Sequence, residues 1–251
     1  MDIDYISFGK GNKTLIMLPG LSTADVKSAG AFLPLVYRDV GKKYKVYFFD
    51  KKKNIPQGYT VREMAGDIAE AMNELKIDKA HVLGCSQGGM IAQYLAIDYP
   101  EKVEKLVLAE TLSRNNDTVI NVVNNWINQV KNDDYKAFAA DMTYKMYSEK
   151  YAKRYKYMIP LMAKFLKPKD KSRFITIAES CLTCNAYDEL DKIKCPVFVI
   201  GGKEDKVVSA QGSYEIAEKL GCEIYMYDNL GHAAHEEAKD FNKRVMEFLD
   251  K

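Results

Sequence analysis

Ala80-His81-Val82-Leu83-Gly84-Cys85-Ser86-Gln87-Gly88-Gly89 is the stretch on which the reading of this chain turns. An apolar run, His81-Val82-Leu83, feeds into Gly84-Cys85-Ser86-Gln87-Gly88, and a helix-like segment from Gln87 to Tyr99 leaves it. A serine hydroxyl is a poor nucleophile unless it is held exposed beside a base, and a strand that turns sharply into a helix holds it so. Glycines on either side let two backbones approach closely, while the helix N-terminus sets N–H groups beside an attacked carbonyl. The pattern G-x-S-x-G alone is only moderately specific. Its position between strand and helix is what makes Ser86 a candidate nucleophile.

Partners for such a serine follow in the chain. The apolar run Pro196-Val197-Phe198-Val199-Ile200 ends in Gly201-Gly202-Lys203-Glu204-Asp205-Lys206-Val207, and a strand-like stretch from Glu223 to Tyr227 leads to Gly231-His232. Serine, then acid, then histidine is the order of α/β-hydrolases and not that of chymotrypsin or subtilisin. On these motifs the chain resembles the α/β-hydrolase superfamily, in its compact single-cap serine esterase, lipase and lactonase branch. The resemblance runs from the first strand to the last helix and is weakest between Asn115 and Asn185.

The resemblance implies an α/β-hydrolase fold: a mostly parallel central sheet with helices on both faces and an inserted helical cap. Residues 1–114 and 186–251 would form the core and 115–185 the cap. Ser86 would be the nucleophile, His232 the base, and Asp205, in a G-x-x-D-x-V match, the acid that fixes the imidazole tautomer. His235 competes for the base, but in the family the histidine directly after the glycine does that work. Glu110, closing Leu106-Val107-Leu108-Ala109, occupies a position where some relatives place the acid. The oxyanion hole would use the N–H groups of Gln87 and of Leu21, in Leu18-Pro19-Gly20-Leu21-Ser22. Many relatives carry His-Gly where this chain has Pro19-Gly20, a departure that removes a side-chain hydrogen bond often bracing that loop. Cys85 fits as a small side chain under the turn, and His81 is expected to make a buried structural hydrogen bond.

Length and charge limit the alternatives. With 251 residues and 47% hydrophobic content, the chain suits one substantial core with an insertion. Its formal charge of +2, from 37 basic and 35 acidic side chains, gives no global electrostatic case for nucleic acid. No basic n-region opens the sequence and no segment approaches the roughly 20 apolar residues of a membrane span, so a soluble cytoplasmic protein is expected. Cys85, Cys181, Cys184, Cys195 and Cys222 show no disulfide rhythm and read as reduced thiols. Cys181 and Cys184 form a lone C-x-x-C without a second pair or a nearby histidine, which reads as helical packing rather than zinc chemistry. No metal and no cofactor are expected.

Strand and helix patterns alternate along the chain, as in a parallel sheet. Ile3 to Phe8 and Thr14 to Leu18 flank Gly9-Lys10-Gly11-Asn12 and read as an antiparallel hairpin. Val61 to Leu75 carries apolar residues at helical spacing, with Thr60 and Glu63 forming a capping box. The cap reads as helices over Val119 to Val130, Tyr135 to Tyr147, Tyr151 to Phe165 and Ser172 to Cys184, and Phe241 to Leu249 closes the chain. Lys51-Lys52-Lys53 reads as a solvated loop.

Substrate is only faintly legible. Serine rather than aspartate at the turn argues against dehalogenase and epoxide hydrolase chemistry, leaving a small-molecule ester, lactone or thioester cleaved through an acyl-enzyme. Ser22, Phe138, Met142, Met146, Met158 and Met162 are candidate pocket residues, although helical Met and Phe spacing equally suits a packed cap core. The cap's lysines, among them Lys145, Lys153, Lys169 and Lys171 with Arg173, would suit an anionic acyl thioester or a lipid surface, or form a solvated face. Acyltransferase, carbon–carbon hydrolase and cofactor-free peroxidase-like activities on the same fold stay open. So does a ligand-binding receptor that turns over negligibly.

Overall fold

The computed structural model describes residues 2–251. Seven strands, β1 (Ile3–Phe8), β2 (Lys13–Leu18), β3 (Tyr44–Lys52), β4 (Ala80–Cys85), β5 (Val103–Ala109), β6 (Val197–Gly202) and β7 (Glu223–Tyr227), form one sheet. Its order is β1-β3-β2-β4-β5-β6-β7, antiparallel at the β1–β3 edge and parallel throughout the rest. The central strands β4, β5 and β6 are nearly continuous apolar runs, as a sheet covered on both faces requires.

The helices are α1 (Leu33–Val36), α2 (Arg38–Lys43), α3 (Val61–Glu74), α4 (Gln87–Asp98), α5 (Asp117–Lys131), α6 (Tyr135–Met146), α7 (Glu149–Tyr155), α8 (Ile159–Phe165), α9 (Lys171–Cys181), α10 (Ala210–Leu220), α11 (Ala234–Glu237) and α12 (Phe241–Asp250). One buried cluster joins α3, α4 and the α5 to α9 insertion to one face of the sheet, through Ile68, Leu95, Val122, Trp126 and Phe174. A smaller cluster, with Phe241, Val245 and Phe248 of α12, covers the opposite face. Thr60 caps α3 by the expected reciprocal pair of bonds with Glu63.

The expected β1–β2 hairpin does not form: β3 lies between the two strands. The connecting glycines serve a different contact. Lys10 N–H donates to the Gly41 carbonyl at 3.1 Å, and any side chain at Gly11 would overlap the backbone of Lys43 and Tyr44. The loop is therefore shaped to receive the chain entering β3, and β2, with Leu15 to Leu18 buried, gains a parallel neighbour on each side. The single helix expected over Tyr151 to Phe165 is also broken. A 3-10 turn, Lys156–Met158, separates α7 from α8, and Pro160 occupies the first turn of α8, where its missing N–H costs nothing.

Candidate active site

In a parallel sheet the loops leaving the C-terminal strand ends converge on one edge. Here Gly20 and Leu21 leave β2, Ser86 leaves β4, Glu110 leaves β5, Asp205 leaves β6 and His232 follows β7. Ser86 has φ +54 and ψ −120, a conformation costing a non-glycine residue of order 1–3 kcal/mol. The turn is over-determined: Ser86 N–H donates to Ala109 O at 2.8 Å, and Thr111 Oγ1 donates to Ser86 O at 2.7 Å. A side chain at Gly84 would strike the Gly88 backbone, and one at Gly88 would strike Leu18 O. The flanking glycines are thus spatial requirements of the elbow.

The structure brings the three expected residues together. His232 Nε2 lies 2.8 Å from Ser86 Oγ, and His232 Nδ1 lies 2.8 Å from Asp205 Oδ2. The other Asp205 oxygen, Oδ1, accepts N–H bonds from Val207 at 2.8 Å and Val208 at 3.0 Å, which fix the carboxylate. The His232 loop is held to the Asp205 loop by Glu204 N–H donating to Leu230 O at 2.9 Å. His232 and Asp205 are buried. Burial opposes a charge on His232, but the Asp205 carboxylate outweighs it and raises the imidazole above its ordinary value.

His235 and Glu110 form a second, separate pair. His235 Nδ1 is 2.6 Å from Glu110 Oε2, and His235 N–H donates to Glu110 Oε1 at 2.8 Å. The Cys85 thiol donates to Glu110 Oε2 at 3.1 Å. Burial pushes that thiol up to about 12, so it stays protonated. Burial also disfavours a charged His235, yet the Glu110 carboxylate, 2.6 Å from Nδ1, raises it well above the ordinary histidine value. Glu110 therefore pins the start of α11 behind the elbow and does not touch His232 Nδ1. His81 is buried as expected but makes no hydrogen bond among the described residues. It packs edge-on against Tyr44, with ring centroids 5.9 Å apart.

Leu21 and Gln87 N–H groups find no acceptor among the described residues. Gly20 borders Ser86: a side-chain Cβ there would sit 3.6 Å from Ser86 Oγ. Two features escaped the sequence. The Gln87 side chain is buried and ties the elbow to α9, its Nε2 donating to Ile177 O at 2.7 Å and Ser180 Oγ at 3.0 Å. Lys51, expected in a solvated loop, is buried at the end of β3, with Nζ donating to Pro19 O at 2.8 Å and Gly20 O at 2.6 Å. Lys52 and Lys53 are paired with Asp67 and Asp4.

Beside the loop that leaves β2 is a cavity of ≈ 210 Å³ whose walls include Pro19, Ser22, Phe48, Lys51, Arg173 and Ile177. Of the candidate pocket residues, Ser22 is on its wall. Phe138 is not a lining residue: it is 1% exposed and packed edge-on between Trp126 and Phe174. Met158 faces solvent, and Met142 and Met146 pack against the main cluster. Met162 of α8 is half-buried and, with the other three methionines, lies off this cavity's walls. Several cap lysines are neutralised in place, Lys145 by Asp141, Lys153 by Glu149, Lys169 by Asp25 and Lys171 by Asp133. Cys181 and Cys184 are buried free thiols. No helix among the described residues is long and apolar enough to cross a membrane.

A strained serine elbow at the C-terminal edge of a mostly parallel sheet defines the class, and comparison agrees. Residues 42–239 match the family described as alpha/beta hydrolase fold, and the chain belongs to it. A putative carbamate hydrolase RutD of Caulobacter sp. (strain K31) is 24% identical over 94% of this chain and 90% of its own length. The same-named protein of Serratia proteamaculans (strain 568) is 32% identical over 38% of this chain, an alignment spanning 36% of that relative. Among solved structures, the enol-lactonase from Burkholderia xenovorans LB400 superposes with a TM-score of 0.84 at 22% identity, covering 99% of this chain and 96% of that one.

Proposed function

We propose that the chain is a cofactor-free serine hydrolase that opens an activated carbonyl, as in a small ester, lactone or thioester, through an acyl-enzyme on Ser86. The observation that carries this reading is the unbroken line Ser86 Oγ, His232, Asp205, with 2.8 Å at each junction. His232 takes the Ser86 proton as the oxygen attacks, and the tetrahedral oxyanion is received by the N–H groups of Leu21 and Gln87. The imidazolium then protonates the leaving group. Water, activated by the same imidazole, releases the acyl group. The relatives' names, carbamate hydrolase and enol-lactonase, support hydrolysis at a carbonyl and add carbamates to the classes worth assaying.

The test is a panel of chromogenic esters, lactones, thioesters and carbamates, run with a fluorophosphonate label on wild type and Ser86→Ala. The variant is expected to lose both labelling and up to about a millionfold in turnover. Labelling that persists on another serine, or turnover that survives the substitution, would refute the assignment.

A further inference from the structure

The oxyanion loop has an anchoring problem. Pro19 has no N–H and no polar side chain, and Gly20 has no side chain at all, yet Leu21 N–H must be held still if it is to meet a developing charge. Reorganisation at the moment of reaction would forfeit the stabilisation. The carbonyls of Pro19 and Gly20 are the polar handles available, and both are taken by one atom, Lys51 Nζ, at 2.8 and 2.6 Å. The amine sits under the loop because β3, which ends at Lys52, runs parallel beside β2, which ends at Leu18.

We propose that the Lys51 ammonium is the positioning group of the oxyanion hole, orienting the Leu21 N–H through the Gly20 carbonyl. The two groups belong to one planar trans peptide and point to opposite sides of it, so holding the C=O fixes where the N–H aims. Gly20 borders Ser86 closely enough that a side chain there would come within 3.2 Å of Ser86 Cβ, so the held peptide begins beside the serine. A cation on the carbonyl also polarises the peptide and strengthens its N–H as a donor. Lys51 is itself rigidly framed: its N–H donates to Asp50 Oδ1 at 2.7 Å, and its carbonyl accepts from Arg173 of α9 at 3.0 Å. This inference rests on the reading of Ser86 as nucleophile.

A buried ammonium is costly, and burial pulls Lys51 down to about 8. The titratable and charged groups that face it are Asp50 of β3, Arg173 and Cys181 of α9 and Cys85 of β4. Burial holds both thiols protonated, pushed up to about 12. Asp67 of α3 shares a small pocket with Lys51 but is paired with Lys52. The positioning charge is therefore lost as pH rises through about 8.

The experiment compares wild type with Lys51→Met and Lys51→Gln. It measures kcat and KM on a chromogenic ester and the affinity of an alkyl trifluoromethyl ketone, which adds to the serine as an oxyanion-bearing hemiketal. For Lys51→Met, kcat and ketone affinity are expected to fall together by roughly tenfold to a hundredfold, with KM within about twofold, less than deleting a donor outright. Lys51→Gln, which keeps amide donors, should recover part of the loss, and it replaces the methionine variant if that one does not fold. Wild-type kcat should decline above about pH 8, a limb missing from both variants. A folded variant with wild-type kcat, a kcat loss without loss of ketone affinity, or a wild-type rate that stays level to pH 10 would each overturn the proposal. If wild type binds no ketone and takes no fluorophosphonate, the failure belongs to the nucleophile assignment and the positioning role falls with it.

Discussion

Two imidazole–carboxylate pairs have histidines three residues apart, at 232 and 235, and their chemistry separates them. Asp205 meets the histidine that touches Ser86, whereas Glu110 meets His235 and a thiol. Asp205→Asn should therefore cost on the order of ten-thousandfold in turnover, through the wrong His232 tautomer, with little change in melting temperature. Glu110→Gln should keep turnover per folded molecule within about tenfold but lose stability, of order 1–3 kcal/mol, because a buried charge-assisted pair is broken. That loss has a pH signature. His235 is raised well above its ordinary value in the fold, so the pair's contribution is complete below about pH 6.5 and disappears as pH climbs through the raised folded value. Melting curves of wild type and Glu110→Gln should converge as pH rises above about 6.5 and through the raised His235 value. Curves that stay parallel would show that His235 is not charged in the fold. In the proposed mechanism activity responds to the other histidine: a base must be neutral, so the raised value of His232 should place the rising limb of kcat/KM above about pH 6.5. His232→Ala should remove nearly all turnover, whereas a folded but inactive His235→Ala beside an active His232→Ala would reverse the assignment.

At the scale of elements, legibility depended on whether a local pattern had one physical cause. The elbow did, since glycines at 84 and 88 are demanded by backbone contacts with Gly88 and Leu18. Gly88→Ala is accordingly expected to yield little folded protein, judged by circular dichroism of the purified chain, and a well-folded alanine variant would show that the elbow is looser than its geometry implies. The α3 capping box was equally readable, because Thr60 and Glu63 satisfy orphan N–H groups within a single turn. The β1–β2 pairing is not legible locally, since Gly9 and Gly11 suit a tight turn as well as the docking of Gly41 to Tyr44. Which use prevails is decided by β3, a strand many residues away. The cap residues failed for a related reason. Helical spacing places Phe138 on an inner face, but it cannot say whether that face meets a substrate or, as found, Trp126 and Phe174. Lys51 was hidden in a run of lysines, and only the neighbouring strand ends distinguish it from Lys52 and Lys53.

Across the whole molecule, the α5 to α9 segment is tied both to the Ser86 elbow and to the His232 loop. Gln87, next to Ser86, holds α9. On the other side the end of α6 and the start of α7 clamp the histidine loop: Ala233 N–H donates to Met146 O at 2.9 Å, Tyr147 Oη to Glu236 at 2.6 Å, and Ser148 N–H and Oγ to Glu237 at 2.8 and 2.6 Å. The Tyr147 contact is exposed, while the Ser148 contacts are partly buried, so the two are not equivalent. Glu237→Ala leaves the Ser148 N–H without its acceptor, at a cost of about 1–3 kcal/mol, whereas Tyr147→Phe removes one solvated bond worth about 0.5–1.5 kcal/mol. Because the Glu237 clamp joins the insertion to the loop bearing His232, its loss should reach the chemistry. For Glu237→Ala we expect kcat/KM to fall several-fold, together with faster proteolysis near Tyr147 to Tyr155. Tyr147→Phe should stay close to wild type in both. Steady-state kinetics and limited proteolysis on the two variants decide the matter: if Glu237→Ala cleaves substrate and resists protease as wild type does, the insertion is positioned by its apolar contacts alone and the clamp is incidental.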